Sequence, residues 1–229
     1  MENNVLLVSL VGSRGCGLGH FSSDYDYKGL IFPTWEDVCA MRDCTTAYEV
    51  DNQDITFHDL RKVPNLFMKS NSSFLELFYS NEIKIKAPCA WELIAKRDTF
   101  ARMNIPYFIK SALGQYHQRI IKGNNKDTMQ AVKNLFHIQK LFTSGGKFSE
   151  VLGHTEEERK ELFNYLFGRY SPEQVKVNVK DLYEHVTEDL VPLLLKEYEA
   201  DTKAYRECQQ LVREMVVKHL TSPEESVIL

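Results

Sequence analysis

The first thirty residues restrict the fold most, because an apolar run is followed directly by a glycine turn and a polar run. Val5–Val11 (VLLVSLV) is apolar, β-branched and of strand length, and Gly12 ends it. The next stretch carries Gly15, Gly17 and Gly19, which permit positive φ and let backbone N–H groups approach a phosphate. The chain then continues as DYDYKGLIF, with side chains that alternate between two faces. The pattern predicts a strand, an anion-accepting turn and a second strand.

Asp24 and Asp26 are predicted to share one face of that second strand. Residues two apart on a strand have Cα atoms roughly 6 to 7 Å apart, so both carboxylates can lean toward one divalent ion or bridge two. A hard cation such as Mg²⁺ or Mn²⁺ would turn their mutual repulsion into a binding site for nucleotide phosphates. The alternative is a solvated strand edge on which two acids lie by chance. The strand and glycine turn upstream favour the metal site.

The order of these residues resembles the signature of the DNA polymerase β-like nucleotidyltransferase superfamily. In that signature an apolar strand leads to Gly-Ser, and a D-x-D motif follows after a short interval. Here Gly12 and Ser13 precede the run Ser23-Asp24-Tyr25-Asp26, with ten residues between Ser13 and Asp24. The chain is also similar to predicted bacterial and phage nucleotidyltransferases associated with RNA repair. The residues that carry this narrower likeness are Asp54 in DITFHDLRKV, Lys69, Asn71, the Ser73-Phe-Leu-Glu-Leu run and KNLFHIQKL.

The resemblance implies an α+β fold in two parts. Residues 1–103 would form a polymerase β-like nucleotidyltransferase domain with a small mixed β-sheet and helices. Residues 104–229 would form an all-helical domain that closes the active-site cleft. The implied reaction transfers a nucleoside monophosphate from an NTP, by default ATP, to a hydroxyl group and releases pyrophosphate. The nucleotide would be bound by Gly12, Ser13 and Ser23, and Mg²⁺ (or Mn²⁺) by Asp24 and Asp26.

The resemblance also implies a third catalytic carboxylate from a neighbouring strand, and Asp54 is the matching position. YEVDNQDITFHDL reads as two short strands around the turn residues Asp51 and Asn52, a hairpin that would lay Asp54 beside Asp26. The implied role of Asp54 is to ligate the metal and take the proton of the attacking hydroxyl, directly or through water. Asp51 and Asp59 are rivals, although Asp51 is more simply a turn former and Asp59 a helix N-cap.

Glu76 lies among apolar residues in a predicted helix. A buried acid needs a partner, and Lys69 or Arg61 would be suitable. The interpretation is a structural ion pair rather than a catalytic acid.

Residues 104–147 form a basic segment in an acidic chain. They hold seven lysines and arginines against one acid, whereas the whole chain has a net charge of −4. A polyphosphate or a nucleic-acid backbone, such as RNA or tRNA, is a natural partner for such a segment. Lys133, His137 and Lys140 fall on one helical face, and the resemblance implies that this face borders the cleft and binds the nucleotide. The alternative is a stripe of basic residues that simply face water.

Several other classes are excluded or disfavoured. The N-terminus lacks a signal-peptide pattern and no run reaches membrane-spanning length, so we expect a cytoplasmic protein without a membrane partner. Five cysteines without a C-x-x-C pair favour reduced thiols over disulfides or a zinc site. The glycine turn lacks the crossover helix of a Rossmann fingerprint and the Gly-Lys-Ser/Thr of a P-loop.

Three functions stay open at this level. An RNA 3′ end is the favoured acceptor, and a protein hydroxyl, as in nucleotidylating antitoxins, is the enzymatic alternative. A nucleotide-binding regulator without turnover is the third, and intact Asp24, Asp26 and Asp54 argue against it. The sequence indicates neither a base preference nor an oligomeric state.

Overall fold

The computed structural model describes residues 4–19, 23–51 and 53–221. The chain forms two compact units, one of residues 1–69, 73–103 and 201–229, the other of residues 70–72 and 104–200. All strands of the described chain belong to the first unit, and the regular elements of the second are helical. The predicted α+β fold is therefore confirmed. None of the helices in this described part is long and apolar enough to cross a membrane.

The first unit is built on a five-stranded mixed sheet in the order β3-β4-β2-β1-β5. Strands β2 and β4 run parallel, and the other neighbours are antiparallel. The strands are β1 (Val5–Val11), β2 (Tyr25–Ile31), β3 (Thr46–Val50), β4 (Gln53–Asp59) and β5 (Ile83–Ile85). The predicted hairpin is β3–β4, with Asp51 in the left-handed region at φ 50°; the predicted turn residue Asn52 lies outside the described residues.

Short helices and an aromatic cluster cover this sheet. The cluster packs ring against ring, with centroids 4.8 to 5.6 Å apart, and consists of Phe67, Phe74, Phe78 and Phe100. It ties three of the helices together through buried apolar area, the main stabilising term in such a core. The helices are α1 (Gly12–Gly15), α2 (Trp35–Cys39), α3 (Val63–Met68), α4 (Ser72–Tyr79), α5 (Ala90–Ala95) and α6 (Arg97–Ala101).

The second unit contains a helical hairpin followed by shorter helices. Its first two helices are α7 (Ile105–Lys122) and α8 (Asn125–Thr143), separated by Gly123 in the left-handed region at φ 68°. The helices that follow are α9 (Phe148–Leu152), α10 (Glu156–Leu166), α11 (Pro172–Glu184) and α12 (Val191–Glu197). The Thr155 hydroxyl and the Glu158 carboxylate cap α10 reciprocally, which offsets the unpaired N–H groups of its first turn.

The last helix, α13 (Thr202–Thr221), packs in the first unit. It buries Cys208, Leu211 and Met215, and Asp201 N–H donates to the Met103 carbonyl over 2.7 Å. The sequence-based boundary put α13 in the second domain, whereas its contacts with α3 and α6 group it with the first unit. The role given to each domain stays a prediction.

Candidate active site

The turn after β1 begins at Gly12, whose backbone is in the left-handed region at φ 67°. Gly12 opens the single-turn helix α1, and Val11 before it has no side chain able to cap that helix. A Cβ on Gly12 would lie under 3.0 Å from Asp26 Oδ2 and 3.2 Å from its Cγ. Glycine is therefore required twice, for its backbone conformation and because the Asp26 carboxylate lies against its Cα.

Asp26 and Asp54 are brought side by side by the parallel pairing of β2 and β4. Asp26 is the register partner of Asp54 on one side and of Val11 on the other. Adjacent strands lie about 4.8 Å apart and register partners point to the same face, so both carboxylates project from one side of the sheet. Asp24 lies one residue before β2 and is exposed, as Asp54 is. The predicted placement of Asp54 beside Asp26 is confirmed.

The electrostatics of this cluster centre on Asp26. Partial burial raises the pKa of the Asp26 carboxyl above its ordinary value, and repulsion from Asp54 and Asp24 raises it further. Lys28 opposes the shift, and Glu76 adds to it. The ionised form of Asp26 is thus disfavoured in the folded protein, and a bound cation would relieve the repulsion.

Glu76 is a site residue that sequence reasoning assigned to another role. Its Oε2 accepts a hydrogen bond from Gly12 N–H over 3.2 Å, across from helix α4 to the turn. Of the two basic partners proposed for it, Arg61 instead pairs with Asp59, Nη2 to Oδ2, over 2.5 Å. The sequence signal is an acid among apolar residues, which needs a donor, and that donor is a backbone N–H.

Arg14 connects the two ends of the turn. Its Nε donates to the Ser23 carbonyl over 2.9 Å, and its guanidinium carbon lies 4.0 Å from the centre of the Tyr25 ring. These contacts hold the start of the D-x-D motif next to the Gly12–Ser13 turn. In the sequence Arg14 stands between Ser13 and Gly15, and no pattern singles it out.

This geometry is the arrangement expected for a polymerase β-like nucleotidyltransferase. The model of the RlaP family, described as an RNA repair pathway DNA polymerase beta family, matches residues 1–161. The chain belongs to the RlaP family. The match includes the turn, the carboxylates, Glu76 and helix α8, and it confirms the resemblance read from the sequence. A comparison with curated proteins found no match.

The two rival acids have structural positions in this RlaP chain. Asp59 is 1% exposed, caps the 3₁₀ turn after β4 by accepting from Arg61 N–H over 2.9 Å, and also accepts from Cys44 N–H. Burial acts to raise the pKa of Asp59, but the hydrogen bonds from Arg61 and Cys44 lower it below its ordinary value. Asp51 is an exposed turn residue, as predicted. Asp54 is the one of the three that projects beside Asp26.

The basic residues of α8 lie in the second unit of the RlaP chain. Lys133 and His137 are buried, at 7% and 1% exposure, so the alternative of a water-facing stripe is wrong for them. Burial, then the charge of Lys133, lowers the pKa of His137 well below its ordinary value, which keeps the ring neutral. Lys140 contacts the Gly153 carbonyl, His154 Nδ1 at 3.3 Å and Glu158 Oε2 at 3.1 Å. The predicted contacts of these residues with a nucleotide stay predictions.

The donor atoms of the RlaP site suit a hard cation. Carboxylate oxygens from Asp24, Asp26 and Asp54 are the ligand type that Mg²⁺ and Mn²⁺ prefer. Across residues 4–19, 23–51 and 53–221, however, no three His, Cys, Asp or Glu side chains are grouped closely enough to hold a metal ion. Asp26 and Asp54, as register partners, would be the first two ligands of such a site, and Asp24 would have to turn toward them.

Proposed function

We propose that this RlaP-family protein is a metal-dependent nucleotidyltransferase that moves a nucleoside monophosphate from an NTP to a hydroxyl acceptor, with ATP as the default donor. The single observation that carries the proposal is the register of Asp26 with Asp54, directly against the glycine turn. Phosphoryl transfer requires groups that position the phosphates and stabilise their charge. Acids on adjacent strands, which can hold a cation, and a turn rich in N–H groups provide both. An RNA 3′ end is the favoured acceptor, and the family description and the basic segment 104–147 support it.

In this reaction the acceptor oxygen forms a bond to the α-phosphorus, and the bond from that phosphorus to pyrophosphate breaks. Mg²⁺ or Mn²⁺ held by Asp24, Asp26 and Asp54 would neutralise the charge that develops on the phosphate oxygens. Asp54, which is exposed, takes the proton of the acceptor hydroxyl directly or through water. The pyrophosphate leaves from the side of the turn, where Ser13 offers its hydroxyl and backbone N–H.

One N–H group of the turn already has a hydrogen-bond acceptor within the protein. Gly12 N–H is already donated to Glu76, so the amides nearest the outer phosphates are those of Ser13 and the residues after it. Ser23, at the other end of the loop, accepts a hydrogen bond from Arg14 Nε through its carbonyl, and its hydroxyl is proposed to contact the nucleotide. Lys133, His137 and Lys140 are retained as proposed nucleotide contacts, as the resemblance implies.

A labelling experiment tests the proposal. The protein is incubated with Mg²⁺ and each α-labelled NTP in turn, alone, with tRNA or other RNA, and with cell lysate. Label on RNA is the expected result, whereas label on protein would identify a protein hydroxyl as the acceptor. Nucleotide binding without any transfer would reduce the protein to a non-catalytic regulator and overturn the proposal.

The matched control is the double variant Asp24→Asn with Asp26→Asn. Because both side chains are at least partly exposed, the amides should leave the fold intact and abolish labelling. Circular dichroism would verify the fold. Undiminished labelling by the double variant would refute the assignment of the site.

A further inference from the structure

We infer that Glu76 is a positioning residue: its carboxylate holds the Gly12 turn in the conformation that the nucleotide needs. The inference rests on the proposed function, and it concerns the same site. Glu76 of helix α4 thus has the role that an N-cap residue normally has, because Val11, at the N-cap position of α1, provides no side-chain acceptor.

The hydrogen-bond acceptor for Gly12 N–H comes from helix α4. The β1–β2 ladder ends at the pair Val11 and Asp26, so Gly12 N–H lies beyond the strand pairing. Gly12 is also the first residue of α1, where N–H groups have no partner within the helix. Val11 cannot supply a side-chain acceptor. Glu76 Oε2, at 3.2 Å, fills that place.

The contact orients the backbone of the turn. Gly12 at φ 67° has no Cβ to restrict it, so its own side chain does nothing to fix the backbone between β1 and the turn. The Asp26 carboxylate lies against its Cα, and Ser13 follows directly. A bond from α4 to this N–H therefore fixes both the backbone that carries Ser13 and the space into which Asp26 projects.

Glu76 contacts the turn through a hydrogen bond: the Gly12 N–H donates to one oxygen of its carboxylate. A positioning role needs an acceptor at this place but not a negative charge. A metal ligand would need the charge as well. Glutamine retains the acceptor and loses the charge, so it separates the two roles.

Three variants test the inference: Glu76→Gln, Glu76→Ala and, as control, Glu92→Ala on the exposed part of α5. The first readout is amide hydrogen exchange of Gly12, followed by NMR on the ¹⁵N-labelled full chain without nucleotide. Loss of the acceptor should speed exchange at Gly12 roughly tenfold in Glu76→Ala. Glu76→Gln and Glu92→Ala should exchange like the wild type. This readout does not depend on any enzymatic activity.

The second readout is NTP binding and transfer by the same proteins. We expect Glu76→Ala to bind NTP roughly tenfold more weakly and Glu76→Gln to stay within about twofold of the wild type. Unchanged amide exchange at Gly12 in Glu76→Ala would overturn the inference. So would a Glu76→Gln variant in which Gly12 N–H stays protected from exchange while transfer is lost as completely as in Asp26→Asn. If the wild type transfers nothing, the proposed function fails, and the exchange and binding results still decide the role of Glu76. If Glu76→Ala does not fold, Glu76→Asp, whose shorter side chain cannot reach the turn, replaces it.

Discussion

Replacing Gly12 with alanine tests how closely the turn packs against the Asp26 carboxylate. The change places a methyl group under 3.0 Å from Asp26 Oδ2 and forces a non-glycine residue to φ 67°. The left-handed backbone costs alanine about 1 to 2 kcal/mol, and overpacking adds about 1 to 3 kcal/mol. We therefore expect Gly12→Ala to lower the free energy of unfolding by roughly 2 to 5 kcal/mol.

A double-mutant cycle with Asp26→Ala separates the two causes. The truncated residue keeps its Cβ, which would lie 3.4 Å from the new methyl group, an ordinary contact. In that background Gly12→Ala should cost only the backbone part, about 1 to 2 kcal/mol. The difference between the two backgrounds, about 1 to 3 kcal/mol, is the coupling energy of the pair. Urea unfolding of the wild type, both single variants and the double variant measures it.

Gly114→Ala is the matched control for this cycle. Gly114 lies inside α7, and a Cβ there would meet nothing within 4 Å. Alanine at a helix interior should raise stability by about 0.5 to 1 kcal/mol. The reasoning is refuted if Gly12→Ala costs less than about 0.5 kcal/mol, or if its cost is the same with and without the Asp26 carboxylate.

Four further variants have defined outcomes. Asp26→Asn should raise the free energy of unfolding by up to about 1 kcal/mol at pH 7.5 and by less at pH 4. The reason is that the pKa of Asp26 is raised in the folded state, so wild-type stability falls as the pH rises above the ordinary pKa of 3.8. Urea titrations of both proteins at the two pH values measure the difference. Asp59→Asn should lower the free energy of unfolding by roughly 3 kcal/mol because it breaks the buried pair with Arg61. Asp54→Asn should change stability little and abolish transfer. Unfolding and labelling assays on both variants distinguish the structural acid from the catalytic one. His154→Gln should make the stability of the protein less sensitive to acid. Burial lowers the pKa of His154 to about 3, whereas the ring in the unfolded chain takes up a proton below pH 6.5. Because of this ring, the wild type should lose about 1.4 kcal/mol of unfolding free energy per pH unit below pH 6.5, which unfolding between pH 6 and pH 4.5 measures.

Much of the first unit could be predicted because its determinants are local. The apolar run before Gly12 and the alternation after Asp24 specify β1 and β2. The turn residue Asp51 specifies the β3–β4 hairpin, and the parallel pairing of β4 with β2 then places Asp54 beside Asp26. Each of these signals lies within a few residues of the element that it specifies.

The contacts that sequence reasoning missed join distant parts of the chain. Glu76 meets Gly12 through a backbone N–H, and a backbone donor leaves no trace in residue type. Helical spacing correctly put Lys133, His137 and Lys140 on one face, but the spacing of polar residues cannot tell a buried face from a solvated one. The position of α13 was also not encoded locally, since an amphipathic helix fits any apolar surface of suitable width.

The hydrogen bond between Asp201 and Met103 has a consequence for biosynthesis. The chain leaves the sheet-bearing unit at residue 103 and re-enters it beside the same point, so residues 104–200 are an insertion. On the ribosome the sheet and helices α3 and α6 emerge before the insertion, and α13, which buries Cys208 and Leu211 and packs on α3 and α6, emerges after it. Until then the apolar surface of α3 and α6 lacks the cover that α13 provides, which makes nascent chains that stall within the insertion candidates for chaperone capture.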